Sequence, residues 1–453
     1  MKFGGTSVES AEALARVSEI IRARVDQKPV VVVSAMGKTT NRLLAMARHA
    51  AGGQRDEALR ACDELRRYHL AEALPVAPAA ERDELAGFID RHFQELAELL
   101  RGLAILGELT PRSLDAVASY GERLSSQILA SALRGRDVPA EAVDSRQFIV
   151  TDRRFTQATP LYEQTYARLA RHIPPLAQDR VPVLGGFIGA TEDGVTTTLG
   201  RGGSDFTASI VGAGVGAAQI QIWTDVDGIL TADPNLVESA RRIKTISFAE
   251  AAELAYFGAK VLHPSTVLPA VEKNIPVLIL NSRRPEAPGT RIIAGVVPCR
   301  NPVKSIACKR GITVVDVHST RMLMAYGFLH RIFEVFDECE TAVDLLATSE
   351  VSVSLTVDNT QRLAEICSRL RQFAEVGVEE DQAIVCLVGD NIRYTPGIAA
   401  RVFRALAGIN VRMISQGASL RNLSLVVAGD DAPHAVRALH AELFREVDPE
   451  VFE

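Results

Sequence analysis

Two lysines, an arginine and a few carboxylates, each set among glycines, are the residues of this chain best placed to do chemistry. Near the start, Lys2-Phe3-Gly4-Gly5-Thr6-Ser7 puts a lysine on a strand and then a glycine turn that opens a helix. Backbone N–H groups and the positive end of a helix can hold anionic phosphate oxygens there, and the lysine can reach a transferring group. Alone the pattern fits a tight connection equally well, because Gly-Gly before a helix is often only a turn. The run Thr196-Thr197-Thr198-Leu199-Gly200-Arg201-Gly202-Gly203-Ser204-Asp205 has what a turn does not need: an arginine between glycines, then Ser and Asp before an apolar helix over 207–211. Glycines let backbone approach a ligand closely, and a guanidinium fork suits a carboxylate or phosphate. In Ser119-Tyr120-Gly121-Glu122-Arg123-Leu124-Ser125, Glu122 could meet an ammonium group, although by itself it would read as a solvated carboxylate at a helix start. Arg201 and Glu122 together would recognise both ends of an amino acid.

Two more segments read as contacts for a nucleotide. Trp223-Thr224-Asp225-Val226-Asp227-Gly228-Ile229 follows an apolar strand, so its polar residues fall at the carboxyl end of a sheet, where open α/β folds place ligands. Phe257-Gly258-Ala259-Lys260-Val261-Leu262-His263-Pro264 offers a second lysine, Lys260, to neutralise phosphates, while His263 before proline reads as structural.

These residues need a scaffold that brings distant segments together. Short apolar runs at 30–33, 181–184, 220–223 and 275–280 end at Ser, Gly, Asp or Asn, as strands buried on both faces do. Helical stretches lie between them, including Leu14, Val17, Ile21 and Val25 at helical spacing and much of 55–135, so the pattern predicts a largely parallel α/β sheet covered on both sides. A linker rich in proline and glycine over 283–302 closes this unit at about residue 291. Beyond it the order strand, helix, two strands, helix occurs twice. Gly327 with Phe333 and Gly397 with Phe403 share one offset, which marks a duplicated α+β unit of about seventy residues, two β-α-β-β-α-β modules in tandem.

Taken jointly, KFGGTS, TTTLGRGGSD, WTDVDGI and FGAKVLHP resemble the aspartokinase family over nearly the whole chain. The resemblance implies an amino-acid-kinase αβα sandwich over 1–291 and two ferredoxin-like ACT domains over 303–380 and 381–453. It implies ATP and Mg2+ as cofactors, L-aspartate as substrate, 4-phospho-L-aspartate as product, and a homodimer or higher oligomer through the ACT domains. By the same resemblance Lys2 and Asp205 are catalytic, and Glu122, Arg201, Ser204 and Asn41 bind the amino acid. Lys2, Phe3, Gly4, Gly5, Thr224, Asp225, Leu230, Lys260 and Val261 hold the nucleotide. Met322, Ala325, Phe328, Leu329, Val343, Asp344, Ser349 and Glu350 match the region where lysine-sensitive members bind their inhibitor, so an effector, L-lysine, is expected there, with Asp344 on its ammonium group. Read singly, Phe328, Leu329 and Val343 fit ordinary core as well. Ala325 and Ala342 stand where lysine-sensitive members often have serine, Leu230 where many have tyrosine, and one residue precedes Lys2 where the family normally has several apolar ones.

No Ser/His/Asp set or carboxylate pair stands out as a general base. None is required, because a carboxylate acceptor is already ionised at neutral pH and its phosphorylation asks mainly for in-line positioning and charge neutralisation. The glycines 212, 214 and 216 would otherwise raise a dinucleotide-dependent oxidoreductase, but they follow a helical stretch rather than a strand and read as a helix end. A catalytically silent amino-acid sensor and a kinase for another carboxylate, such as glutamate or acetylglutamate, are the remaining rivals.

The net charge of -6 and pI near 5.9 provide no basic field for nucleic acid. The six cysteines lie far apart without C-x-x-C spacing and read as reduced thiols of a cytoplasmic protein. No apolar run reaches the length needed to span a bilayer, and no secretory leader opens the chain.

Overall fold

The computed structural model describes residues 1–258, 264–319 and 326–453. The chain divides into two compact units, Met1–Gly228 with Leu262–Ala294, and Ile229–Val261 with Gly295–Glu453.

In the first unit the strands run in the order Ala140–Val143, Val181–Gly185, Val31–Val33, Lys2–Phe3, Ile220–Thr224, Val277–Asn281, Thr290–Ile293. Neighbours are parallel except at Val277–Asn281 with Thr290–Ile293. Val31 and Val33, with Phe3 and Trp223, enter one large core with apolar residues of the helices Ala11–Arg22, Thr39–Ala51, Arg55–Ala73, Arg82–Leu106 and Tyr120–Arg134. Phe3 and Trp223 are wholly buried and stack with ring centroids 5.8 Å apart. Since side chains alternate along a strand, Lys2 faces the opposite side, where the helix Gly203–Val215 packs. That helix ends at Gly216 in the left-handed conformation (φ +65°), the helix end expected from the glycine cluster. A small sheet of Val150–Thr151, Ile188–Thr191 and Thr196–Thr198 presents the arginine loop.

In the second unit six described strands form one antiparallel sheet, in the order Leu346–Thr348, Ser352–Val357, Ser305–His318, Glu375–Val388, Asn422–Ala428, Met413–Gln416. The two modules are duplicates as expected. Gly327 and Gly397 cap the helices Phe328–Glu338 and Ile398–Ala405 in the same left-handed conformation, φ +81° and +80°. They are interleaved rather than strictly in tandem. The long strand Ser305–His318 shifts register around Gly311, which has φ +72°. Its 313–318 half pairs with Ser352–Val357 in the first module, while its 305–310 half pairs with residues 383–388 of the second.

The division also departs from a boundary at residue 291, because residues 229–258 pack within the second unit. Lys304 and Glu250, both almost fully buried, form an ion pair at 2.8 Å. Ile306 N–H donates to the Thr231 carbonyl at 2.8 Å, and Glu253 accepts from Ser419 Oγ and Asn422 Nδ2, each at 2.6 Å. Buried polar groups require such partners, and those named here come from the C-terminal part of the second unit, in its sheet and in the loops beside it.

Candidate active site

The short strand Lys2–Phe3 sits between Val31–Val33 and Ile220–Thr224, so the lysine occupies the middle of the sheet. The chain then turns through Gly4 and a 3-10 turn, Gly5–Ser7, before Ser10 caps the helix Ala11–Arg22 by accepting from Ala13 N–H at 3.2 Å. A Cβ on Gly5 would lie 2.7 Å from the Ala35 carbonyl oxygen and 2.8 Å from that of Gly37, so only glycine fits between the two loops. Lys2 Nζ pairs with Asp205 Oδ1 at 2.7 Å, both side chains being largely buried. Asp205 lies in the first turn of Gly203–Val215. The ammonium is thus fixed over the start of a helix whose free N–H groups favour anions.

The loop before that helix uses its glycines for conformation. Gly200 and Gly202 have φ +75° and +73°, and Arg201 between them is exposed, with no ion pair among the described residues. Ser204 packs against bare backbone, since a Cβ on Gly186 would come within 2.6 Å of Ser204 Cβ. Phe187, which follows, holds a left-handed backbone (φ +65°), and its N–H donates to Thr207 Oγ1 at 2.9 Å.

Glu122 is buried rather than solvated, so the reading of a surface helix-start carboxylate does not hold. Its Oε1 accepts from Ala35 N–H at 3.2 Å, while Oε2 is buried without a hydrogen-bond partner among the described residues. Burial pushes its carboxyl up to about 8, offset only in part by the bond from Ala35. Lys2, Gly5, Glu122, Arg201, Ser204 and Asp205 line one cleft of about 330 Å³, together with Ser34, Gly37, Thr40 and Phe187. These last four lie outside the quoted motifs, although Ser34 closes the apolar run 30–33 and Thr40 precedes Asn41. Asn41 is exposed on its helix and is absent from the lining, where its neighbour Thr40 takes the place expected of it, one position of helical rotation apart.

Thr224 ends its strand, and its carbonyl accepts from Ser282 N–H and Oγ at 2.8 and 3.0 Å. Its hydroxyl lies 3.2 Å from Oδ1 of the exposed Asp225. Neither residue lines the cleft around Lys2. Leu230 belongs to the second unit, where its carbonyl accepts from Ser305 Oγ at 2.7 Å. Lys260, Val261 and His263, like Met322 and Ala325, lie outside the described residues.

Of the expected effector residues, Phe328 is buried in the first module's core, Val343 is half-buried against it, and Leu329, Ser349 and Glu350 are exposed. Asp344 already has an ammonium partner: Lys309 Nζ lies 2.8 Å from it and 2.8 Å from Asp358. Burial nevertheless holds the Asp344 carboxyl above the usual carboxylate range, against the pull of Lys309.

Residues 1–281 match the amino acid kinase family, and residues 385–443 match the ACT domain. The chain is 41% identical to aspartokinase 3, chloroplastic, of Arabidopsis thaliana, over 98% of this chain and 81% of that protein. It is 38% identical to lysine-sensitive aspartokinase 3 of Escherichia coli, over 98% of each. The crystal structure of E. coli aspartokinase III in complex with aspartate and ADP superposes with a TM-score of 0.84 at 37% identity, covering 98% of this chain and 99% of that one.

Proposed function

The chain belongs to the aspartokinases of the amino acid kinase family, and from that premise we propose how its own residues carry the reaction. The enzyme is an aspartate kinase: it transfers phosphate from ATP to the side-chain carboxylate of aspartate, and its ACT modules fit feedback control by an amino acid. The observation that carries the assignment of roles is the convergence of Lys2, Asp205, Glu122 and Arg201 on one cleft.

Arg201, exposed and without an ion pair among the described residues, takes the substrate's α-carboxylate through its planar fork. Glu122, with one buried oxygen unpartnered among the described residues, takes the ammonium, which supplies the counter-charge that its burial lacks. Lys2 stabilises charge on the transferring phosphoryl oxygens, and Asp205 fixes the position of its ammonium. The glycines at 4 and 5 allow phosphate to approach the backbone. Thr224 and Asp225 face the nucleotide; their paired oxygens are the hard donors that magnesium prefers and would hold it on the triphosphate, where it supplies charge neutralisation. Lys260 and Val261 complete the nucleotide side in this reading. We assign L-lysine as effector, by analogy with the lysine-sensitive relative, at a site including Asp344. The exposed apolar Leu329 and Phe333 of the first module fit assembly of copies through the ACT domains.

The test is Lys2→Ala. Loss of one preorganised donor costs roughly 10²–10³ in kcat at comparable sites, so aspartate-dependent ADP release should fall by that order while the circular-dichroism melt stays cooperative. Near-parental turnover would remove Lys2 from the mechanism. Lysine, threonine and methionine added singly to the parent assay identify the effector.

A further inference from the structure

We propose that Asp115 is a positioning residue for the amino-acid substrate, its buried carboxylate fixing the base of the arginine loop so that Arg201 is held at one place over the cleft. The proposal rests on the reading of Arg201 as the substrate's carboxylate clamp.

Asp115 belongs to the helix Pro111–Ala118 and is 1% exposed. Among the described residues no cation pairs with it; its charge is met entirely by hydrogen-bond donors from two other segments. Oδ1 accepts from Thr198 Oγ1 at 2.6 Å, and Oδ2 accepts from Thr198 N–H at 3.0 Å and Thr156 N–H at 2.9 Å. Thr198 is the last residue of the strand Thr196–Thr198, three positions before Arg201.

The residues it grips could not easily hold themselves. Thr156 is β-branched yet has φ +70°, a conformation that persists only where the surroundings overdetermine it. Its carbonyl oxygen in turn stands 3.1 Å from where a Cβ on Gly200 would be, so it backs the first glycine of the loop. Ala158 N–H donates to the Thr198 carbonyl at 2.9 Å, which ties the two gripped segments together. Beyond Thr198 the chain passes through two left-handed glycines, the residues with the widest conformational choice. Order in Arg201 therefore has to be imposed at the base of the loop, and Asp115 is the charged acceptor there. A purely apolar packing residue would need none of these three bonds, and a structural turn would not require a buried charge to make them.

Two variants test this. Asp115→Asn keeps the side-chain size but turns an N–H2 group toward donors that need an acceptor. Thr198→Val removes the hydroxyl bond alone and leaves the backbone one. With active sites counted by ADP titration, the KM for aspartate should rise about 10-fold or more in Asp115→Asn and by less in Thr198→Val, while the KM for ATP stays within about two-fold, since displacement of a positioning group by an ångström costs up to 10²-fold. An unchanged aspartate KM with fewer active sites, or equal rises in both KM values, would assign Asp115 to structure alone and overturn the proposal. If Asp115→Asn does not fold, an unchanged aspartate KM in Thr198→Val overturns it. Arg201→Ala run beside them separates the two ideas: an aspartate KM unaffected by that change sinks the clamp itself, whatever Asp115 does.

Discussion

Glu122 shows how a single carboxylate can be held at a cost to the free protein. Its pKa near 8 lies above the ordinary value of 4.5, so the folded state binds its proton more tightly than the unfolded chain does. Stability from this group is therefore greatest at low pH, falls as pH rises from the ordinary carboxylate range towards 8, and above 8 carries the full cost of a buried charge. Glu122→Gln should remove that dependence. Urea melts without ligand, from about pH 5 to about pH 9, are expected to show the variant gaining on the parent as pH rises. The same change should raise the aspartate KM by roughly 10-fold or more, the worth of one charge-assisted bond. Parallel pH profiles for the two proteins would contradict the assignment. The residue types at this scale were legible: Lys2, Glu122, Arg201, Ser204 and Asp205 all stand in quoted motifs, and all line the cleft. The burial of Glu122 was not, because a carboxylate in a first helical turn is usually solvated and only tertiary packing, with Gly185 and Ala35 against it, shows otherwise.

At the scale of elements, backbone contact positions the site. The helix Gly203–Val215 starts where it does because Gly186 lets Ser204 approach, and a methyl group at 186 would meet Ser204 at 2.6 Å. Gly186→Ala should therefore push Ser204 and Asp205 outward and cut kcat/KM for aspartate by about 10²-fold. Gly102 provides the contrast. It lies within the helix Arg82–Leu106 with nothing within 4 Å of a new Cβ, so Gly102→Ala should raise stability by about 1 kcal/mol with kinetics unchanged. Equal losses of activity in the two variants would mean that the glycine contact has no special place. The sequence pattern located most strands and helices and the matching glycines at 327 and 397, which the structure shows to be helix caps. In the first module the strand is Leu346–Thr348, with pairing carried back to Asp344, whose N–H donates to the Thr356 carbonyl at 2.9 Å.

For the whole molecule, the segment 229–258 and the half-strand 305–310 set the divisions of the chain. A fragment ending at residue 291 would strip Thr231, Ile243, Ile246 and Glu250 of the partners that bury them. Glu250 would lose its partner Lys304, and Ile243 and Ile246 would be exposed to water. The 1–291 fragment should thus show fast amide exchange across 229–258, or aggregate, whereas the full chain should protect that segment; equal protection in both would restore a boundary at 291. Among the described residues no helix is long and apolar enough to cross a membrane. By itself the sequence determined the chemistry, a lysine, an arginine and glycine turns suited to anions, and the local elements that present them, because composition and periodicity act over short distances. Only the tertiary structure decided which carboxylate is buried, which carboxylate braces the arginine loop, and which unit claims residues 229–258. Those outcomes depend on hydrogen bonds and charge pairs between segments far apart in the chain, and no local pattern encodes which donor a buried group will find.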